Sequence, residues 1–438
     1  MARYLVQVEP AKIQQVKASL KGINIPVITQ AFDYVLIDIP EKVVPKVKAL
    51  PYVVDVRPEQ PVKVFQLPKL LDWLPALPTE GPPIPRFLIS RARAELPVGA
   101  IPVEKKLARF IELAKNPFTL AQAFAFAAAE TIDRWPTGES RKMLGADVAE
   151  AEGAQGKGVK VAVIDTGAAP SLQGHYFSLN SKSSVEGQLI PWDENGHGLW
   201  CASCISGSPF QTPFGLLKGV APDCEVEIFK CLGYGIGAGS NTSVLRAMMD
   251  AFEWGANIVS MSLGSTECQG GCDVCPNCRA VRMLAEQGVL IVVANGNEGE
   301  GTQGCPACSP SAISVGAIDK EGKIASFSSR KGWKADKPNC TAPGVYTTSS
   351  STGLIALMQA GQDFPGTASI SGTSMACPHV SGLLALWMQY LKERGITLTP
   401  QIAKDIMKRY GQLWTADYGY GVPRYEWVKE YYEEVLSA

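Results

Sequence analysis

Five stretches in the second half of the chain are nearly continuous apolar runs: GVKVAVID (158–165), CEVEIFKCL (224–232), NIVSMSLG (257–264), GVLIVVANG (288–296) and AISVGAID (312–319). Apolar runs without alternation belong to strands covered on both faces, as in parallel sheets whose crossover helices pack above and below. SVLRAMMDAFEWG and RAVRMLAEQ, with helical spacing, lie between some of them. From about residue 157 the expected fold is therefore α/β, with a doubly wound, mainly parallel sheet. Such sheets bind ligands beyond the carboxyl ends of their strands. That places Asp165, the segment 262–264 and Asn297 at one crevice.

The front of the chain is different in kind. YLVQVE, a helical AKIQQVKASLKG, PVITQAF, YVLIDIP, EKVVPKVKAL and YVVDVR follow one another in βαββαβ order, which predicts a small α+β, ferredoxin-like domain over 1–64. Prolines recur from Pro68 to Pro102, so 65–134 reads as an extended linker followed by an amphipathic helical segment. The third region is 135–438. A net charge of −1 without long basic runs offers nothing to a phosphate backbone, so nucleic acid is not an expected partner. No apolar stretch reaches the roughly 18 residues of a membrane span, so no membrane partner is expected either. The opening MARYLVQVEP lacks a signal-peptide profile. Twelve cysteines, all from Cys201 onward, point instead to an oxidising compartment or to a hyperthermophile cytoplasm, and the compartment stays open.

Residues 371–380 read SGTSMACPHV. Pro378 lacks an N–H, yet near the first turn that donor has little intrahelical use, so a helix can begin close to Ser374. A serine there is ordinarily an N-cap. It is also a site where peptide dipoles favour developing negative charge. A nucleophilic hydroxyl needs a base, and the base needs an orienting carboxylate. Of the three histidines, His379 falls inside the apolar helix and reads as a hydrogen-bonded core residue, and His175 lies in a polar loop. His197, between Gly196 and Gly198 at the start of a small-residue helix, can approach both Asp165 and Ser374.

Taken together, VIDTG (163–167), NGHG (195–198), GNEG (296–299) and GTSMACPH (372–379) resemble the subtilisin-like serine proteases in their chain order Asp, His, Ser. The resemblance covers roughly 140–438. It implies Ser374 as nucleophile, His197 as general base and then acid, Asp165 as the carboxylate behind the imidazole, and Asn297 as oxyanion donor beside the Ser374 N–H. It implies that Ser262, Leu263 and Gly264 line the specificity pocket and that Gly237, Ala238 and Gly239 pair with an extended peptide. Gly304 falls at the back of that pocket, which leads to an expected preference for Phe, Leu, Met or Tyr before the scissile bond. The module at 1–64 resembles the family's propeptide, so the chain is expected to be a zymogen, inhibited intramolecularly by its own N-terminal domain and acting on polypeptides as a monomer. The chain departs from the family in the long 65–134 insertion, in Leu199 and Trp200 after the histidine, and in lacking an acidic calcium ligand shortly after Asp165. The chemistry requires no cofactor, and structural calcium stays open although the sequence gives it no support.

Cys268, Cys272, Cys275 and Cys278 lie in ECQGGCDVCPNC, and Cys305 with Cys308 forms CPAC. Disulfides stiffening these loops are the preferred reading. Zinc at Cys275, Cys278, Cys305 and Cys308 is the second and free thiols the third. Cys377 reads as a small buried side chain and Met375 as an oxidation target. A catalytically silent scaffold or metal-binding protein on the same fold is the competing functional class, and the complete Asp165, His197, Asn297 and Ser374 set argues against it.

Overall fold

The structure, a computed structural model, describes residues 2–64 and 133–437 apart from 234, 269–270, 335 and 359–362. The linker and helix expected over 65–134 therefore lie outside the described residues, save 133 and 134.

Seven strands form one parallel sheet in the order Lys182–Ser183, Glu225–Lys230, Lys160–Asp165, Ile258–Met261, Leu290–Ala294, Ile313–Ile318 and Cys340–Pro343. The five central strands match the five apolar runs. The two edge strands escape sequence reading because one is only two residues long and the other, CTAP, carries no apolar run. Helices cover both faces. Val161, Val163, Ile258 and Val292 point into a core shared with the helices His197–Ser206 and Thr373–Lys392. Ala162, Ile164, Val259 and Val293 point the other way, toward the helices Asn241–Glu253 and Pro276–Glu286. The period-2 geometry of a strand thus explains why successive positions at the centre of these runs are apolar on both faces.

The chain enters this sheet at Lys160–Asp165, adds strands on one side, then crosses to Ile258–Met261 on the other. The crevice at such a reversal is where an open α/β sheet receives ligands. Asp165 is the last residue of the first strand, at that point.

Residues 2–58 build a separate antiparallel sheet, Val27–Ala31, Tyr34–Ile39, Ala2–Val8 and Val53–Pro58 in spatial order. This is the 2-3-1-4 strand order of a ferredoxin-like plan. Val6, Val35 and Ile37 pack on one face with Val16 and Leu20 of the helix Ile13–Gly22 and Val47 of the helix Val44–Lys48. Leu5, Tyr34 and Leu36 on the other face join the core formed by Asn241–Glu253 and Pro276–Glu286. Asp33 meets Arg279 at 2.8 Å across this contact, and Arg246 Nη1 donates to the Gln30 carbonyl at 2.8 Å. The strand Pro61–Val64 then leaves this sheet and enters another one.

Candidate active site

The helix Thr373–Lys392 begins one residue before Ser374 and continues through Pro378. In an α-helix the N–H of residue 378 would bond the carbonyl of residue 374, and proline has none to give. The Ser374 carbonyl is instead satisfied from outside the helix, by Ser262 Oγ at 2.8 Å and the Cys201 thiol at 3.7 Å. Ser374 Oγ in turn donates to the Ser262 carbonyl at 3.0 Å. The proline therefore does more than interrupt a pattern: it frees the carbonyl that ties the serine to the strand end at 262.

His197 opens its own helix at the opposite wall. Gly196 takes φ 99°, and a Cβ there would collide with the Thr352 carbonyl. A Cβ on Gly198 would stand 2.7 Å from the Gly167 carbonyl. The two flanking glycines thus let the imidazole press against the 165–167 turn. Nδ1 donates to Asp165 Oδ1 at 2.7 Å, with both side chains wholly buried. The Thr166 N–H donates to the same oxygen at 2.7 Å. A carboxylate bonded to Nδ1 fixes the tautomer and leaves Nε2 as the acceptor. Nε2 is buried and has no hydrogen-bond partner among the described residues.

Cys201 joins the two walls, its Sγ 3.9 Å from His197 Nδ1 and 3.7 Å from the Ser374 carbonyl. Burial, and then the charge of Asp165, push its thiol well above the usual range, so it stays protonated. Cys377 is likewise buried and pushed up to about 11, chiefly by desolvation. Met375 is fully buried, which removes the access that the expected oxidation needs.

Asn297 approaches from the third side. Its Oδ1 accepts from the Thr373 N–H and from the Thr373 hydroxyl, each at 2.9 Å. Those two bonds orient the amide and make its nitrogen the donor edge.

Asp193 carries no motif in the sequence, yet it organises the histidine turn. One of its oxygens accepts from Thr166 Oγ1 at 2.9 Å and from the Gly196 N–H at 2.7 Å, and the other from the Leu199 N–H at 2.9 Å. Burial raises its pKa; the bonds from Gly196, Leu199 and Thr166 and the charge of Lys230 oppose that rise. An acid four residues before a histidine that starts a helix is the signal that could have found it.

Of the residues assigned to substrate, Ala238 and Gly239 pair antiparallel with Lys63 and Val62, and Leu263 and Gly264 with Val64 and Lys63. The strand Pro61–Val64 thus lies between both segments, with Val62 buried. Gly237 precedes the first segment at φ 68°. Ser262 bonds Ser374 rather than the strand through the contacts above. Gly304 lies beside a recess of about 260 Å³ also lined by Thr266, Gly296, Glu298, Thr302 and Trp333.

The disulfides favoured for the cysteine loops are not formed: all twelve cysteines are free. Among the described residues no helix is long and apolar enough to cross a membrane.

Residues 156–421 match the model of the subtilase family, which is more than half of the chain. The chain belongs to the subtilase family. It is similar to subtilisin Savinase of Lederbergia lenta, 36% identical over 256 residues that cover 58% of this chain and 84% of that protein. It is likewise similar to M-protease of Shouchella clausii, 36% identical over 58% of this chain and 60% of the relative. The major intracellular serine protease of Bacillus subtilis is 33% identical over 58% and 76%. The match spans about 60% of the length of M-protease and 62% of that of alkaline elastase YaB. As a subtilase, the chain carries the doubly wound α/β fold read from its apolar runs.

Proposed function

We propose that this chain is a serine endopeptidase that works through an acyl-enzyme and is made as a self-inhibited precursor. The observation that carries the reading is the wholly buried pair of Asp165 and His197 at 2.7 Å, facing a helix that begins one residue before Ser374. In the reaction, the Ser374 hydroxyl turns from the Ser262 carbonyl to His197 Nε2 and attacks the peptide carbon as Nε2 takes its proton. Asp165 stabilises the imidazolium. The tetrahedral oxyanion accepts from the Ser374 N–H, in the first helical turn, and from the Asn297 amide nitrogen. His197 then protonates the leaving amine, and water repeats the sequence to release the acyl group.

Substrate is held as an added strand between 237–239 and 262–264, so backbone conformation is read before side chains. The recess beside Gly304 receives the residue before the cut, with room for Phe, Leu, Met or Tyr. A peptide-library profile dominated by Arg or Asp would refute that preference.

The strand Pro61–Val64 occupies the same two edges, which supports residues 1–64 as the chain's own inhibitor. A fluorophosphonate probe tests both parts. Labelling of wild type and none of Ser374→Ala supports the nucleophile. Val62→Asp, which puts a charge into the buried position that seats the strand, is expected to label faster than wild type. Equal rates would remove the inhibitor reading and leave the endopeptidase intact.

A further inference from the structure

Six cysteines meet beside the crevice, Cys268, Cys272, Cys275 and Cys278 from one segment and Cys305 and Cys308 from another. Five are buried and Cys268 is partly so. Sulfur separations are 3.6 Å for Cys268 to Cys278, 3.4 Å for Cys275 to Cys305, and 3.6 Å from Cys278 to both Cys305 and Cys308. Disulfide sulfurs stand about 2.0 Å apart. Around a tetrahedral zinc ion, with Zn–S near 2.3 Å, the edge between two sulfurs is about 3.8 Å. The observed spacing matches that edge.

The sulfurs also divide in an informative way. Cys268, Cys272, Cys278 and Cys308 form one quartet, and Cys268, Cys275, Cys278 and Cys305 a second, each with its sulfurs mutually within 4.8 Å. Cys268 and Cys278 belong to both. One tetrahedral ion would leave two buried thiols over, whereas two ions sharing Cys268 and Cys278 use all six sulfurs and give each ion four. The four-cysteine set read from the sequence spacing cuts across both quartets. Iron–sulfur clusters interpose sulfide between their irons and hold four cysteines through separate metal atoms, which spreads those sulfurs apart; this packing is tighter.

We propose that these six cysteines bind two zinc ions, with Cys268 and Cys278 as bridging thiolates, Cys272 and Cys308 completing one ion and Cys275 and Cys305 the other. Binding displaces the thiol protons and involves no electron transfer. Two dications and six thiolates leave a residual double negative charge. Cys275 caps the helix Pro276–Glu286 and Cys278 lies in its first turn, where the dipole favours anionic sulfur. The two segments also carry the walls of the recess. Ser265 and Cys305 exchange backbone hydrogen bonds at 3.0 and 2.9 Å, one residue beyond Gly264 and one beyond Gly304. On the endopeptidase reading above, the metal pair therefore fastens the specificity pocket.

The test uses full-length Ser374→Ala protein, so that the metal count does not depend on proteolysis. Native mass spectrometry is expected to find two zinc ions per chain, with the six thiols resisting iodoacetamide until a chelator strips the metal. Cys268→Ser is expected to lower zinc below one per chain, whereas Cys272→Ser keeps at least one. Cobalt replacement in the unmutated cluster gives a second measurement that needs no cysteine variant: thiolate-bridged cobalt ions couple magnetically and lose EPR intensity relative to isolated ones. A metal-free protein with the six cysteines oxidised, one zinc per chain, uncoupled cobalt, or iron with labile sulfide would each overturn the assignment.

Discussion

Two imidazoles flank the start of the serine helix, and both are completely buried. At the mouth of the crevice, His197 Nδ1 bonds the Asp165 carboxylate and Nε2 has no partner among the described residues. Behind it, His379 is engaged at both nitrogens by neutral groups: Nδ1 donates to the Met375 carbonyl at 2.7 Å and Nε2 accepts from Ser140 Oγ at 2.6 Å. The same side chain at the same burial thus keeps one nitrogen unengaged in one place and has both engaged in the other. What separates them is the charge of the partner and whether one nitrogen is left to act.

The largest effects are expected at the mouth. Ser374→Ala removes the only hydroxyl that His197 is proposed to activate, and by analogy with subtilisin kcat should fall about 10⁶-fold. Steady-state cleavage of a peptide substrate checks this. A loss of only tenfold would mean that another group attacks, and the contrast between the two imidazoles would lose its chemical meaning.

Next in size is the proposed oxyanion donor. Asn297→Ala leaves both histidines untouched and removes one hydrogen bond to the developing charge. The subtilisin value for such a change is about 10²- to 10³-fold in kcat, with KM nearly unchanged because the bond matters most in the transition state. Asn297 Oδ1 also holds Thr373, so a thermal melt of the variant should accompany the kinetics. An unchanged kcat would exclude the amide from the oxyanion site.

The contrast also explains what could be read in the sequence. The sheet was legible because burial on both faces makes whole runs apolar, and the edge strands were not because they are too short or too polar to form such runs. Asp165, His197 and Ser374 stand in short motifs with glycines whose steric purpose is local, so the roles proposed for them could be assigned before their geometry. Asp193 could not be named, since a buried acid receiving backbone bonds from Asn195, Gly196 and Leu199 and a fourth from the Thr166 hydroxyl looks like any other loop aspartate until the turn is folded. The cysteine loops misled for a related reason. Spacing along the chain says that thiols can meet, but whether they meet as pairs or as quartets depends on how two distant loops pack.

The smallest expected effect concerns His379 and is one of stability. Desolvation lowers its pKa from 6.5 to about 4, against a smaller opposing effect of the Met375 carbonyl. The facing Cys204 thiol, 3.3 Å from Nδ1, is pushed well above its usual range by burial and stays neutral. Because the folded pKa lies below the unfolded one, the unfolded chain binds the proton first as pH falls. Stability tied to this residue is therefore complete above about pH 6.5 and is lost progressively down to about pH 4, by at most about 3 kcal/mol. His379→Gln can keep a bond to Ser140 but cannot titrate. Its neutral-pH stability will drop somewhat, so the informative quantity is the slope of unfolding free energy between pH 4 and 6.5, which should be shallower than in the wild type. Parallel slopes would mean that the interior imidazole is protonated as easily as one in water, and that burial alone does not set the two histidines apart from solvent.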